Sequence, residues 1–177
     1  MNGWGMDDRI QEHLRHNPWL RGPYEELKRM EQECPSVLLQ PGADEEALYF
    51  LSMNMRKEGV ARIPETYWSF LWLVGGLTAP GMWLYGTWDI VWKGRRYTSY
   101  LSGTRAQSGL IAAYMVYNYD NTELFLGECD HGTYTYWPDT DSYGLNLLQG
   151  GYNHFADCID MLRHINSRIR ANASRSG

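Results

Sequence analysis

Lysine and arginine are missing from the whole interval between Ala106 and Leu162, which carries Asp120, Glu123, Glu128, Asp130, Asp139, Asp141, Asp157 and Asp160. Basic residues flank it on both sides: Lys93, Arg95, Arg96 and Arg105 before, Arg163, Arg168, Arg170 and Arg175 after. A block of one sign biases the field over part of a surface far more than the net charge of −5 suggests. It argues against nucleic acid as the direct ligand, because phosphates would be repelled. Two readings remain: a solvated acidic face, the commoner case, and a docking surface for a basic protein.

Cysteine is scarce. Cys34, Cys129 and Cys158 are odd in number and far apart, so they offer no disulfide framework. The start, Met1 to Asp8, has acids where a secretion signal needs basic residues, and no apolar stretch follows. The expectation is a cytoplasmic protein with reduced thiols. Long hydrophobic runs are lacking too. Thr66 to Trp88 is uncharged, but Gly75-Gly76 and Pro80-Gly81 cut it into pieces shorter than the roughly 20 residues of a spanning helix. A buried helix, a turn and a buried strand are expected there, and no membrane segment.

Catalytic signatures are also missing: no G-x-S-x-G, Walker, Rossmann or H-E-x-x-H pattern occurs. Asp139-Thr140-Asp141-Ser142-Tyr143-Gly144 begins like a calcium loop. It fails where Tyr143 and Gly150 stand in place of oxygen-bearing ligands, so a polar turn is the better account. Asp139 with Asp141, or Glu128 with Asp130, could be offered as an acid–base pair, but carboxylate pairs abound in any acidic surface. Cys129-x-His131 and His154-x-x-x-Cys158 each place two metal-ligand residues on one face of a strand or helix. The spacing between the pairs matches no standard zinc pattern, and each residue has an ordinary structural reading. The expectations are no metal, no cofactor and no enzymatic activity.

What is present is apolar and aromatic. Hydrophobic residues make up 44%, with 8 Trp and 13 Tyr, enough for a sizeable core in a 177-residue chain that suits one domain. Periodicity and punctuation predict helices over residues 6–17, 23–33 and from Asp44 to Gly59. Another opens at Pro64, carries Tyr67, Phe70, Leu71 and Val74, and stops at Gly75-Gly76; Pro35, Pro41 and Gly42 mark a loop. Strands are predicted over Met82 to Gly86, Ile90 to Trp92, Tyr97 to Leu101, Leu124 to Gly127, Thr133 to Trp137 and Leu145 to Leu148. Leu110 to Tyr119 leans towards helix. Phe155 to Ile165 closes the domain as a helix with Phe155, Ile159 and Leu162 inward. The fold class expected is α+β, a twisted antiparallel sheet packed by N-terminal helices and a C-terminal helix.

The ordered set Ile63-Pro64-x-x-Tyr67-x-x-Phe70-Leu71-x-x-x-Gly75-Gly76, Tyr85-Gly86, Leu126-Gly127-x-x-Asp130, Tyr134-x-Tyr136 and Phe155-x-x-Cys158-Ile159-x-x-Leu162 resembles the SUKH superfamily. That superfamily includes yeast cell-wall-assembly regulators and bacterial toxin-immunity proteins, and the YrhA-like branch looks nearest. The resemblance runs from about Asp44 to Ile165. It covers an α+β domain over 44–166 and leaves the helices over 1–43 as an addition packed on that domain, while the polar, arginine-rich composition of 167–177 reads as a basic flexible tail. The resemblance also implies a binding role, in bacterial members commonly immunity against a secreted toxin.

Joining the charge map to the resemblance, the expected partner is a cognate toxin protein with a basic surface. The residues expected to meet it are Glu128, Asp130, Tyr134, Tyr136, Trp137, Asp139, Asp141 and Tyr143, helped by Trp88 and Asp89. Tyr134 and Tyr136 share one strand face and Trp137 takes the other, so only part of this set can face solvent. The alternative is a cytosolic regulator or scaffold with no toxin partner.

Overall fold

The computed structural model describes residues 6–43, 45–57, 62–86, 90–92, 95–97 and 123–175. The chain runs α1 (Met6–His16), a 3-10 turn (Pro18–Leu20), α2 (Arg21–Glu33), β1 (Leu38–Pro41), α3 (Glu45–Lys57), α4 (Glu65–Leu71), β2 (Val74–Ala79) and β3 (Met82–Leu84). Then come β4 (Ile90–Trp92), β5 (Arg95–Tyr97), β6 (Leu124–Cys129), β7 (Gly132–Trp137), β8 (Ser142–Leu147), β9 (Tyr152–Phe155) and α5 (Cys158–Arg175). Seven strands form one antiparallel sheet in the order β1-β2-β3-β6-β7-β8-β9, and β4 and β5 pair separately. The protein is therefore α+β, a sheet packed by helices, as the sequence predicts.

Register assigns the two faces. Leu39, Leu77, Leu84, Gly127, Tyr134 and Leu145 form one row across the sheet, with Tyr136 and Tyr143 beside it. This face meets the helices: α4 lies against β2, α5 against β8 and β9, and α2 against α5. Cys158, Met161, Leu162, Ile165 and Ile169 recur at helical spacing along α5 and are all buried. Asp157 caps that helix by accepting the Asp160 amide at 2.8 Å, and the Asp160 carboxylate accepts the Ala156 amide at 2.9 Å, a reciprocal pair that fixes where β9 ends and α5 begins. Tyr67 reaches from α4 into the sheet, where its hydroxyl donates to the Tyr85 carbonyl at 2.9 Å beside the irregular register of β6.

Several elements differ from their predicted form. The helix carrying Tyr67 and Phe70 ends at Leu71, and Val74-Gly75-Gly76-Leu77 opens β2 instead of ending a helix. All four residues are buried, so no alternation marks them as a strand. The expected loop at Pro41 is edge strand β1, where a proline is tolerated because no ladder donor is needed on its outer side. Leu145 to Leu148 is not the last strand: β8 begins at Ser142, Leu148 lies 77% exposed in the next turn, and β9 follows. Gly150 and Gly151 make that turn with φ of 93° and 87°. Phe155 belongs to β9, and it and Ile159 are only partly buried. Of the strand expected over Tyr97 to Leu101, only Tyr97 is described, as the end of β5; residues 98–101, the segment Leu110 to Tyr119, Asp44 and Gly59 lie outside the described residues.

The predicted flexible tail is also corrected. α5 continues to Arg175, because Ile169 extends the buried stripe and the Asn172 amide donates to the Pro80 carbonyl at 2.9 Å. The N-terminal helices join the same core as the sheet: Leu14, Leu20 and Leu27 cluster with Leu71, Leu77 and Met161. No helix among the described residues is long and apolar enough to cross a membrane.

Two histidines sit partly buried. His13 donates through Nε2 to the Ser69 carbonyl (2.9 Å) and stacks on Trp72 with ring centres 4.5 Å apart. His164 lies beside Phe155 and meets the Tyr134 hydroxyl through Nδ1 at 3.1 Å. Burial lowers both pKa values below the ordinary 6.5. Their folded values lie below the unfolded ones, so the unfolded chain binds more protons and stability falls as pH drops below 6.5. Denaturant unfolding across that range is expected to show a shallower pH slope in the His13→Gln/His164→Gln variant. An unchanged slope would rule these two residues out as its source.

Candidate partner-binding site

The face of the sheet opposite the helices carries Thr78, Trp83, Glu128, Thr133, Thr135, Trp137, Asn146, Tyr152 and His154 in register. Its middle is buried at Phe125 and Thr135, whereas Tyr152 and His154 at the β9 margin are exposed. Trp137 lies across Gly144, where even a Cβ would stand 2.7 Å from the indole ring; a larger residue would lift the ring away. From there it meets Tyr152 edge-on, centres 5.4 Å apart, and His154 at 5.9 Å. Three rings thus form a partly exposed cluster against the sheet edge.

The expected anchors divide by strand parity. Trp137 is half-buried on the face opposite the helices. Tyr134, Tyr136 and Tyr143 face the helices and are buried, so they are core residues and not partner contacts. Their hydroxyls are accommodated inside: Tyr134 at His164, Tyr136 donating to the Asp141 carboxylate at 2.8 Å, Tyr143 with the Thr66 hydroxyl at 2.8 Å. Burial raises all three phenol pKa values, that of Tyr136 to about 12 with the Asp141 carboxylate adding to the effect.

The expected acids do not form one patch. Asp139 and Asp141 are exposed in the β7–β8 turn next to Trp137. Asp130 is exposed in the β6–β7 turn, at the other end of β7, about 17 Å away at strand rise. Glu128 is half-buried on the same face as Trp137 and accepts a hydrogen bond from the Tyr85 hydroxyl. Trp88 and Asp89 lie outside the described residues. Tyr152 and His154, absent from the expected set, complete the ring cluster. Their two-residue spacing was the available signal, but a four-residue strand between a glycine turn and a helix cap offers too little periodicity to stand out.

Protein-family models, curated proteins and solved structures were compared with the chain. None matches.

The four metal-type residues separate. Cys129 ends β6, His131 is exposed in the next turn, His154 stands on the face opposite the helices, and Cys158 is buried at the start of α5 beside Tyr143 and Thr66. No group of three or more His, Cys, Asp or Glu among the described residues could hold a metal ion. Burial pushes the Cys158 thiol up to about 12 and raises that of Cys129, which keeps both in the unreactive thiol form at neutral pH.

Proposed function

We propose that the protein is a non-enzymatic, cytoplasmic binding protein of immunity type, which neutralises a cognate toxin domain by covering a basic surface of that toxin. The observation that carries the reading is the juxtaposition of exposed Asp139 and Asp141 with the Trp137–Tyr152–His154 cluster, inside an interval free of lysine and arginine. The resemblance of the Ile63-Pro64-x-x-Tyr67 stretch and its companions to the SUKH superfamily supplies the class of partner. Toxins that act on nucleic acid carry positive charge to hold phosphates, and an acidic, ring-bearing corner is complementary to it. Asp130 and Glu128, farther along the sheet, add to the field. Charge complementarity raises the association rate, and a desolvated ring slows dissociation.

The test is binding kinetics against the product of the neighbouring gene at low and high salt. Asp139→Lys with Asp141→Lys is expected to slow association about tenfold or more and flatten its salt dependence. Because Asp141 also accepts from Tyr136, Asp139→Lys alone serves as the variant that leaves the turn intact. Trp137→Ala is expected to shorten the lifetime of the complex. Association indifferent to salt and to both reversals would defeat the electrostatic model, and absence of binding would defeat the immunity reading.

A further inference from the structure

A sheet edge left bare is a template for another strand, and proteins usually block it with proline, lysine, a bulge or a side-chain cap. The two edges of this sheet are treated differently. At β1 the Leu39 amide is capped by the Glu31 carboxylate at 3.0 Å, whose other oxygen is held by Lys28 at 2.5 Å, and Pro41 has no amide to offer. At β9 none of these devices is present among the described residues. Tyr152, Asn153 and His154 are exposed, the pairing with β8 runs without a bulge, and the strand contains neither proline nor lysine.

The direction of the free backbone groups follows from the hairpin. The Leu147 amide donates to the Gly151 carbonyl at 3.0 Å, and Leu145↔Asn153 and Tyr143↔Phe155 continue that register. Antiparallel pairs alternate between bonded and non-bonded, so Asn153 and Phe155 turn their amides to β8, while Tyr152 and His154 turn theirs outward. Their side chains stand with Trp137 on the face opposite the helices.

Resting on the partner-binding role proposed above, we infer that β9 is a strand-addition edge that takes an extended basic segment of the partner protein. Main-chain bonds to Tyr152 and His154 hold the segment, and alternate side chains lie along the ring cluster, where a lysine or arginine stacks on an aromatic face. Exposed Asp139, Asp141, Asp157 and Asp160 stand at the end where β9 leaves the sheet, and Arg163 is the first base after them. A second copy of this chain brings the same acids and the same lysine- and arginine-free interval, so self-pairing has no charge complementarity to draw on.

The test uses the full chain and a short peptide alternating valine with lysine, followed by amide resonances and hydrogen exchange. The Tyr152 and His154 amides are expected to shift and gain protection while those of β1 do not. A peptide alternating valine with glutamate is expected to leave them unchanged. His154→Pro removes an outward donor without touching the β8 ladder, and Tyr152→Lys with His154→Lys guards the edge while keeping every backbone donor. Either variant is expected to weaken peptide binding about tenfold with unfolding otherwise normal. The inference is overturned by peptide contacts elsewhere, by equal response to the acidic peptide, by no added protection at Tyr152 and His154, or by self-association that protects those amides. If the neighbouring gene's product binds the parent and both edge variants alike, the edge inference fails and the immunity reading stands. Peptide capture with no binding of that product gives the reverse.

Discussion

Phe70→Ala is expected to destabilise the protein by about 3–5 kcal/mol, through lost transfer energy plus the cavity left behind. Phe70 is 1% exposed, stands on the inner side of α4 and lies 5.8 Å from the Tyr67 ring. Tyr67 is tied through its hydroxyl to the Tyr85 carbonyl and cannot move into the gap without giving up that bond. Phe155→Ala makes the informative comparison. That ring is only partly buried, against Tyr134 and His164, so its removal should cost clearly less. Denaturant unfolding of the two variants, with unchanged m, checks both. Equal losses, or a loss at Phe70 under about 1 kcal/mol, would contradict the burial of α4 against the sheet.

The comparison of these two phenylalanines also shows what the sequence could convey. Tyr67, Phe70, Leu71 and Leu162 are legible because a helix with one buried face repeats its apolar residues at helical spacing, but the buried stripe of α5 runs through Cys158, Met161, Ile165 and Ile169 and not through the expected Phe155 and Ile159. The β6–β7 hairpin is legible through Asp130-His131-Gly132 between two β-rich runs. Val74 to Leu77 is not, since a strand buried on both sides has no polar alternation and its glycines read as a helix stop. Leu38–Pro41 and Tyr152–Phe155 are too short to show a period, and both are edges whose role depends on partners far away in the chain. The candidate site was legible by half. Strand parity separates Trp137 from Tyr134 and Tyr136, yet which face meets the helices depends on the position of α5. The distance between Asp130 and Asp139 follows only once the length of β7 is known.

Asn166→Asp is expected to cost about 3 kcal/mol at neutral pH, because it puts an unpaired negative charge where a buried amide now joins two helices. Asn166 is 1% exposed on α5; its Nδ2 donates to the Pro23 carbonyl and to the Glu26 carboxylate of α2, each at 3.1 Å. A carboxylate there loses both donors and faces a carbonyl and another carboxylate, while Arg170 is already paired with the other oxygen of Glu26. Burial and the neighbouring anion both raise the new group's folded pKa above its unfolded value of about 3.9. The deficit is therefore full above the folded pKa and shrinks as pH falls through it, because the native state then takes up the proton. Asn166→Leu, which removes the hydrogen bonds without adding charge, should cost about 1–3 kcal/mol with no such pH dependence. Unfolding of both variants against the parent across acidic and neutral pH separates the outcomes. If Asn166→Asp matched Asn166→Leu at every pH, residue 166 would not be buried against α2, and the N-terminal helices would not share the core of the sheet.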